Sequence, residues 1–141
     1  MKIKEAMHNV TKVLSTTNIA EAAKIMDQKV IGSVLVEEED QVIGIVTERD
    51  ILRKVVAAGK RCEGTTVKDI MNELLITIAS EATLEEASDM MRDNKIRRIV
   101  VKDGGKIVGI VTARDLAERI KYSLSSKILR NRDSSSLRPD Y

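Results

Sequence analysis

A threonine, an arginine and an aspartate recur at the same spacing in two nearly identical stretches. Residues 44–50 read GIVTERD and residues 109–115 read GIVTARD. The apolar residues before each threonine predict a strand, and the residues after it predict the start of a helix. A helix start with a hydroxyl and a guanidinium can bind a phosphate, and a carboxylate beside it can accept hydrogen bonds from both hydroxyls of a ribose. The two stretches therefore predict a pair of nucleotide sites.

A second interpretation of the same residues is purely structural. Thr47-x-x-Asp50 and Thr112-x-x-Asp115 match the capping pattern, in which side chains satisfy the first backbone amides of a helix. Two features favour a ligand as well. The capping pairs that begin at Asn18 and Thr83 use Glu rather than Asp, and an arginine precedes each junction aspartate. Capping and binding are compatible, so both interpretations stay open.

The two junctions belong to a longer internal repeat. The offset between the copies is 64 residues at the N-terminal openings and 65 residues after them. The register holds for nearly all of residues 3–120, which indicates a duplicated structural unit. The matching segments are IKEAM at 3–7 with VKDIM at 67–71, NIAEAAKIM at 18–26 with TLEEASDMM at 83–91, and QVIGIVT at 41–47 with KIVGIVT at 106–112.

Each copy predicts a helix, a β-hairpin and a second helix, in that order. The second helices are expected over residues 48–58 and 113–123. The fold class is therefore α+β, with two pseudo-symmetric repeats that each pack helices on one face of a small sheet. We expect the first repeat over residues 1–61 and the second over residues 62–123. A polar C-terminal extension follows over residues 124–141, which we expect to be partly disordered.

Composition argues against several classes of protein. The 24 Lys and Arg nearly balance the 22 Asp and Glu, unlike the basic excess of a dedicated nucleic-acid binder. The single His8 and single Cys62 do not make a zinc site or a nucleophilic pair, so we expect neither an enzyme nor a metal site. We interpret the acidic run Glu37–Asp40 as a solvated hairpin tip. A cytoplasmic protein is expected, because a lone cysteine suits a reducing compartment and no apolar run approaches the roughly 20 residues of a membrane span.

The sequence resembles a tandem pair of cystathionine-β-synthase (CBS) domains, also called a Bateman module. The resemblance covers residues 1 to about 123. It rests on the paired junctions, the hairpins before them, and the openings Lys4-Glu5-Ala6-Met7 and Lys68-Asp69-Ile70-Met71. It implies a regulatory module that binds AMP, ADP, ATP or an S-adenosylmethionine-like ligand. The partners that it implies are a second copy of the chain, in a homodimer, and an unidentified effector protein.

The resemblance also implies two clefts between the repeats, each combining the junction of one repeat with residues of the other. Asp115 would hold the ribose, and Thr112 with Arg114 the phosphate. Where the first cleft has the hydroxyl of Thr17, the second has Ala82, so we expect the Asp115 cleft to bind more strongly. The expected residues are Thr17, Ala22, Ile31, Gly32, Arg97, Thr112, Arg114 and Asp115 in the stronger cleft, and Thr47, Arg49, Asp50, Ala82, Ala87, Ile96 and Arg98 in the weaker cleft.

Two alternatives to a nucleotide sensor stay open. The first is a nucleic-acid-binding accessory protein that uses the basic C-terminal segment, although Tyr122 is the only base-stacking aromatic in residues 119–138. The second is a ligand-free structural dimerisation module. The basic residues of the segment are Arg119, Lys121, Lys127, Arg130, Arg132 and Arg138.

Overall fold

The computed structural model of the chain describes residues 1–74 and 76–135, with side chains described up to residue 130. The chain forms two compact units. One unit is Asn9–Ile76, and the other combines Met1–His8 with the chain from Thr77 onward. The units therefore differ from the sequence repeats, because each repeat contributes its opening segment to the unit that holds the body of the other repeat.

The unit Asn9–Ile76 is built on a three-stranded sheet with the order β1-β2-β3. Strand β1 pairs with β2 in parallel, and β2 pairs with β3 as an antiparallel hairpin. A π-helical turn follows α2, and a short 3₁₀ turn precedes α3. The elements are β1 (Lys12–Leu14), α1 (Ile19–Lys29), β2 (Ser33–Glu38), β3 (Gln41–Thr47), α2 (Glu48–Ile51), the π-helical turn Leu52–Val56, the 3₁₀ turn Cys62–Gly64 and α3 (Val67–Ile70).

The second unit repeats this plan with the sheet order β4-β5-β6. Its elements are the 3₁₀ turn Ile3–Glu5, β4 (Thr77–Ile78), α4 (Leu84–Asn94), β5 (Arg98–Asp103), β6 (Lys106–Thr112) and α5 (Ala113–Ser135). Two small sheets with helices confirm the predicted α+β class. None of the helices described in residues 1–74 and 76–135 is both long enough and apolar enough to cross a membrane.

Valine, isoleucine and alanine side chains, together with Met26, build the hydrophobic core of the unit Asn9–Ile76. The face of α1 that carries Ile19, Ala22 and Met26 packs in one cluster with Val34 of β2 and Val46 of β3. These positions recur along α1 at the spacing of one helix face, which is the pattern that the sequence predicts. Each fully buried aliphatic side chain of this size contributes about 1.5–3 kcal/mol.

The two second helices end differently. In the first copy, α2 passes into the π-helical turn Leu52–Val56, where Ala57 N donates to Leu52 O at 2.8 Å. In the second copy, α5 continues as one helix to Ser135 and so includes residues 124–135 of the C-terminal extension. The expectation of disorder for residues 136–141 concerns a stretch outside the described residues.

A glycine in β3 lets the neighbouring opening segment lie directly against the strand. Ile45 and Asn72 exchange two backbone hydrogen bonds of 2.9 Å. A Cβ atom at Gly44 would lie 2.6 Å from Met71 Sδ and 2.8 Å from Asn72 O, closer than such atoms can approach. The glycine of the GIVT stretch is therefore required by the backbone of residues 71–72.

Gly109 plays the same part in β6. Ile110 and His8 exchange two backbone hydrogen bonds of 3.0 Å. A Cβ at Gly109 would lie 2.8 Å from Met7 Sδ and 3.1 Å from His8 O. Both copies thus use a missing side chain to bring the residue after the opening methionine beside the strand that leads to the junction.

We expect Gly44→Ala to destabilise the protein by about 1–3 kcal/mol, because the added methyl group overpacks a site bounded by the backbone oxygen of Asn72. Gly109→Ala should cost less, because its closest contact is the flexible Met7 side chain and the backbone oxygen of His8 lies at 3.1 Å. Chemical denaturation measures the loss. Gly64→Ala is the control, since the nearest atom to its added Cβ lies at 3.8 Å. Equal stability of Gly44→Ala and Gly64→Ala would contradict the role assigned to the close approach.

Candidate functional site

The carboxylate of Asp50 closes a capping box at the start of α2. Asp50 N donates to Thr47 Oγ1 at 3.2 Å, and Thr47 N donates to Asp50 Oδ2 at 2.9 Å. The Thr47 hydroxyl also donates to Asp50 Oδ2, at 3.0 Å. The capping interpretation is therefore confirmed at this junction, and the hydroxyl proton of Thr47 is committed within the box.

Two residues outside the junction also contact Asp50. Asn72 Nδ2 donates to Asp50 Oδ2 at 2.8 Å, and Lys54 Nζ lies 3.4 Å from Asp50 Oδ1. The Lys54 ammonium also donates to Ile70 O at 2.9 Å and to Asn72 Oδ1 at 3.0 Å. Both carboxylate oxygens of Asp50 thus have protein partners. Lys54 also connects the start of the second helix to the opening segment through its bonds to Ile70 and Asn72.

Burial and hydrogen bonding act in opposite directions on the pKa of Asp50. Its side chain is only 13% exposed, and this loss of water raises the pKa. The hydrogen bonds from Thr47 and Asn72, with the charge of Lys54, outweigh burial and hold the pKa of Asp50 below its ordinary value. Asp50 is therefore ionised at neutral pH.

Asp115 forms the equivalent box at the start of α5 with fewer partners. Thr112 N donates to Asp115 Oδ2 at 2.8 Å, and Asp115 N donates to Thr112 Oγ1 at 3.1 Å. The third contact is His8 Nε2, 3.1 Å from the same Oδ2. Among the described residues, none binds Asp115 Oδ1, and the Thr112 hydroxyl donates to none of them. The Asp115 side chain is 20% exposed, against 13% for Asp50.

Equivalent basic residues on the two helices explain part of this difference. Lys54 and Arg119 lie at the same position of the repeat, and each binds a backbone carbonyl of the opening segment. Arg119 Nε donates to Glu5 O at 2.8 Å, as Lys54 does to Ile70 O. Only Lys54 also contacts the aspartate of its own helix.

The junction arginines lie at the surface. The side chain of Arg114 is 87% exposed, and its Nε donates to Glu118 Oε1 at 3.1 Å. An exposed pair at this helical spacing contributes only about 0.3–0.5 kcal/mol, so Arg114 can exchange Glu118 for a phosphate at small cost. Arg49, the equivalent residue of α2, is also exposed.

Backbone carbonyls occupy the first amide of each helix. Glu48 N donates to Gly32 O at 3.0 Å, and Ala113 N donates to Arg97 O at 2.8 Å. The capping threonines take the third amides. Two amides that an anion could use at each junction are therefore already bonded. The Arg97 side chain is exposed, and Arg98 is half-buried in β5 opposite Thr112.

The residues predicted for each cleft come from both compact units. The structure brings together Thr47, Arg49 and Asp50 with Thr17, Ala22, Ile31 and Gly32 in the unit Asn9–Ile76, and it brings together Thr112, Arg114 and Asp115 with Ala82, Ala87, Ile96, Arg97 and Arg98 in the other. The predicted pairing of each junction with residues of the other unit stays a prediction.

Four apolar residues were expected among the ligand-binding residues of the two clefts. Ala22 of α1 and Ala87 of α4 are fully buried, because each helix turns that face toward its sheet. Their methyl groups therefore offer no surface to a ligand in this structure. Ile31 and Ile96, which follow the same two helices, are half-buried.

A further capping box weakens one sequence inference. Thr66 and Asp69 form the same reciprocal box at the start of α3, away from both junctions. Aspartate in place of glutamate in a box therefore does not mark a ligand site. At α1, Asn18 accepts from Glu21 N, whereas the reciprocal bond seen between Thr83 and Glu86 is absent from that helix start.

Sequence reasoning missed the partners of the two carboxylates that lie outside the capping boxes. His8 and Asn72 directly follow Met7 and Met71, the last residues of the repeated openings. Their equivalent positions after a repeated motif were the available signal. Lys54 could have been found from its helical spacing of four residues from Asp50.

We expect Asp50→Ala to destabilise the protein by about 1–2 kcal/mol at pH 7, the typical cost of a lost cap. Because the folded pKa lies below the unfolded value of about 3.9, the ionised Asp50 stabilises fully above that value and loses this effect as pH falls through the folded pKa. The difference from wild type should therefore shrink below about pH 4.

Denaturation of both proteins at pH 7 and pH 3 measures the effect. Asp27→Ala, at an exposed position of α1, is the control and should change little. An unchanged difference between wild type and Asp50→Ala at the two pH values would show that the charge of Asp50 does not contribute.

Comparison with known proteins agrees with the duplicated architecture. The CBS domain family matches residues 3–57 and 67–122. An uncharacterized protein of Methanopyrus kandleri, MK0525, is 40% identical over 113 residues, which cover 79% of this chain and 58% of that protein. The mitochondrial CBS domain-containing protein CBSX3 of Arabidopsis thaliana is 36% identical over 118 residues, which cover 79% of this chain and 57% of that protein. This chain thus spans less than two thirds of the length of either relative.

A crystal structure of an uncharacterized conserved protein from Pyrococcus horikoshii has the same fold. It superposes with a TM-score of 0.79 at 34% identity, covering 84% of this chain and 90% of that one. Both repeats match the family and the fold agrees along most of the chain, so the resemblance drawn from the junctions is confirmed. The chain belongs to the CBS domain family and contains a pair of CBS domains.

Proposed function

We propose that this CBS domain pair is a ligand-sensing regulatory module that binds an adenine nucleotide or an adenosyl compound. The ribose would bind to the junction carboxylates, most strongly to Asp115. The observation that carries the proposal is the state of Asp115, whose Oδ1 has no partner among the described residues while its Oδ2 is fixed by Thr112 N.

The chemistry of the Asp115 junction suits a ribose with a phosphate. An ionised carboxylate oxygen can accept both hydroxyls of a diol, and each such bond contributes about 1.5–3 kcal/mol. The capping bond at 2.8 Å fixes the carboxylate before a ligand arrives, so little ordering remains to be done on binding. The Thr112 hydroxyl and the exposed Arg114 lie within one turn of the same helix start, where a phosphate would complete the ligand.

The Asp50 junction is the weaker of the two in this proposal. The Thr47 hydroxyl already donates to Asp50, and Asn72 and Lys54 bind the carboxylate. A ligand would have to displace Lys54 from Oδ1. This agrees with the inequality that the Thr17 and Ala82 positions predict from the sequence alone.

Regulation requires a partner that distinguishes the ligand-bound state from the free state. We propose a separate effector protein and a homodimer. One face of α5 supports self-association, because Ile120, Leu124 and Ile128 are each more than half exposed at a spacing of four residues. Val55, at the position of Ile120 in the first repeat, is fully buried instead.

The nucleic-acid alternative draws less support from the structure. Arg119, the first basic residue of the segment, binds the carbonyl of Glu5 and so belongs to the fold. Lys121 and Lys127 lie exposed on α5, without a stacking aromatic other than Tyr122 nearby in sequence.

Calorimetric titration with AMP, ATP, S-adenosylmethionine and NADH tests the proposal. We expect micromolar binding of at least one of these ligands. Asp115→Ala should lower the affinity for that ligand at least about tenfold, since the loss of one charge-assisted hydrogen bond accounts for such a change. Asp50→Ala should have a smaller effect on the stronger site.

Asp27→Ala controls for the loss of a carboxylate elsewhere on the surface. Full affinity in Asp115→Ala would remove the ribose assignment. Absence of binding by all four ligands would favour the ligand-free dimerisation module, and a labelled RNA or DNA that binds until residues 124–141 are deleted would favour the nucleic-acid alternative.

A further inference from the structure

The two junction aspartates differ in the residue that reaches them from the opening segment. Asp50 is bound by the amide of Asn72, a neutral group that does not titrate. Asp115 is contacted by the imidazole of His8, whose Nε2 lies 3.1 Å from Oδ2. Imidazole is the side chain whose charge changes between about pH 5 and pH 8. The duplication has therefore left one carboxylate beside a titratable group.

The backbone holds His8 in this position from two sides. On the strand side, His8 exchanges two hydrogen bonds of 3.0 Å with Ile110, and Gly109 leaves the space for this approach. On the helix side, Arg119 of α5 donates to the carbonyl of Glu5 at 2.8 Å. Since α5 also carries Asp115, the same contacts that fix the opening segment bring imidazole and carboxylate together.

We propose that His8 and Asn72 are positioning residues for the ligand-binding carboxylates of Asp115 and Asp50. Of the two, His8 alone makes its site sensitive to pH, so that protonation weakens ribose binding at Asp115. This inference rests on the proposed function. It adds to that function a residue, His8, that acts on the ligand through Asp115 without contacting the ligand itself.

Other charged side chains of the opening segment Met1–His8 and of α5 beside it already have partners. Lys2 and Lys4 both bind Glu81, which precedes α4, and these contacts lower the pKa of Glu81 to about 2. Glu5 Oε2 accepts from Lys2 N at 2.7 Å. Arg119 is bound to a backbone carbonyl. Asp115 is therefore the charged group, among the described residues, that makes an ion pair with a protonated His8.

The sign of the effect follows from the comparison with Lys54. A protonated imidazole places a positive charge beside Asp115 Oδ2, as the ammonium of Lys54 does beside Asp50 Oδ1. The paired carboxylate is a weaker acceptor for ribose hydroxyls, because part of its charge is already compensated. Affinity for a neutral ribose compound should therefore be lower when His8 is protonated than when it is neutral.

The first experiment needs no ligand. The side-chain carboxyl ¹³C shift of Asp115 is followed by NMR from about pH 8 to pH 5. We expect an inflection in wild type that disappears in His8→Asn, and Asn72→His should create an inflection at Asp50. No inflection at Asp115, or one that persists in His8→Asn, would overturn the proposal, because a protonated imidazole 3.1 Å from Oδ2 has to change the electrostatic surroundings of the carboxylate.

The second experiment measures the affinity for adenosine at about pH 7.5 and pH 5.5, since the phosphate of AMP itself titrates near pH 6. We expect affinity to be at least about threefold weaker at the lower pH in wild type and to be independent of pH in His8→Asn. An equal pH dependence in both proteins would overturn the inference.

The two experiments separate this inference from the function on which it rests. Intact ligand binding without an inflection at Asp115 overturns the role of His8 alone. An inflection at Asp115 in a protein that binds no adenosyl compound at either pH overturns the proposed function, and with it the predicted effect on affinity.

Discussion

The contact between each opening segment and a glycine-bearing strand is the constraint on which both junctions depend. Gly44 and Gly109 leave no side chain where Met71 and Met7 pass, and paired backbone hydrogen bonds then join Asn72 to Ile45 and His8 to Ile110. These contacts set the residue after each opening methionine beside the aspartate that caps the following helix. The glycine that begins each GIVT stretch therefore acts through the backbone, whereas the aspartate that ends it acts through its side chain.

The same backbone arrangement in the two copies thus supports two carboxylates with different hydrogen-bond partners. Around Asp50, Asn72 and Lys54 join the Thr47 hydroxyl in a network that occupies both oxygens. Beside Asp115, Arg119 donates to the carbonyl of Glu5 instead of to the carboxylate. Oδ1 of Asp115 therefore has no partner among the described residues. The first arrangement is suited to holding the fold together, and the second leaves bonding capacity for a ligand. A duplicated unit can diverge in this way while both copies keep the same sheet order.

Much of the fold could be predicted because its signals are local. The β-hairpin that the sequence predicts before the first junction is the one that the structure shows at Ser33–Glu38 and Gln41–Thr47. The repeat register then places the second hairpin. The exchange of opening segments between units could not be predicted, since it depends on contacts between residues far apart in sequence, such as Ile3 N with Ala82 O at 2.8 Å.

The junction residues were also predictable as a set, but their hydrogen-bond partners were not. Spacing shows that Thr47 and Asp50 can cap a helix, and the structure adds that Asn72 and Lys54 complete the carboxylate's bonds. The same limit applied to Ala22, which the family resemblance implied as a ligand-binding residue although the helix buries it in the core. Sequence pattern identifies groups capable of chemistry, and packing decides which of them remain accessible.

The central claim is that the carboxylate of Asp115 caps its helix through one oxygen and holds a ribose through the other. A crystal structure of the protein with a bound adenosyl ligand tests this most directly. The account predicts ribose hydroxyls within hydrogen-bond distance of Asp115 Oδ1, with the capping bond from Thr112 N to Oδ2 retained. A ligand whose ribose lies away from Asp115, with Oδ1 still without a partner, would contradict it.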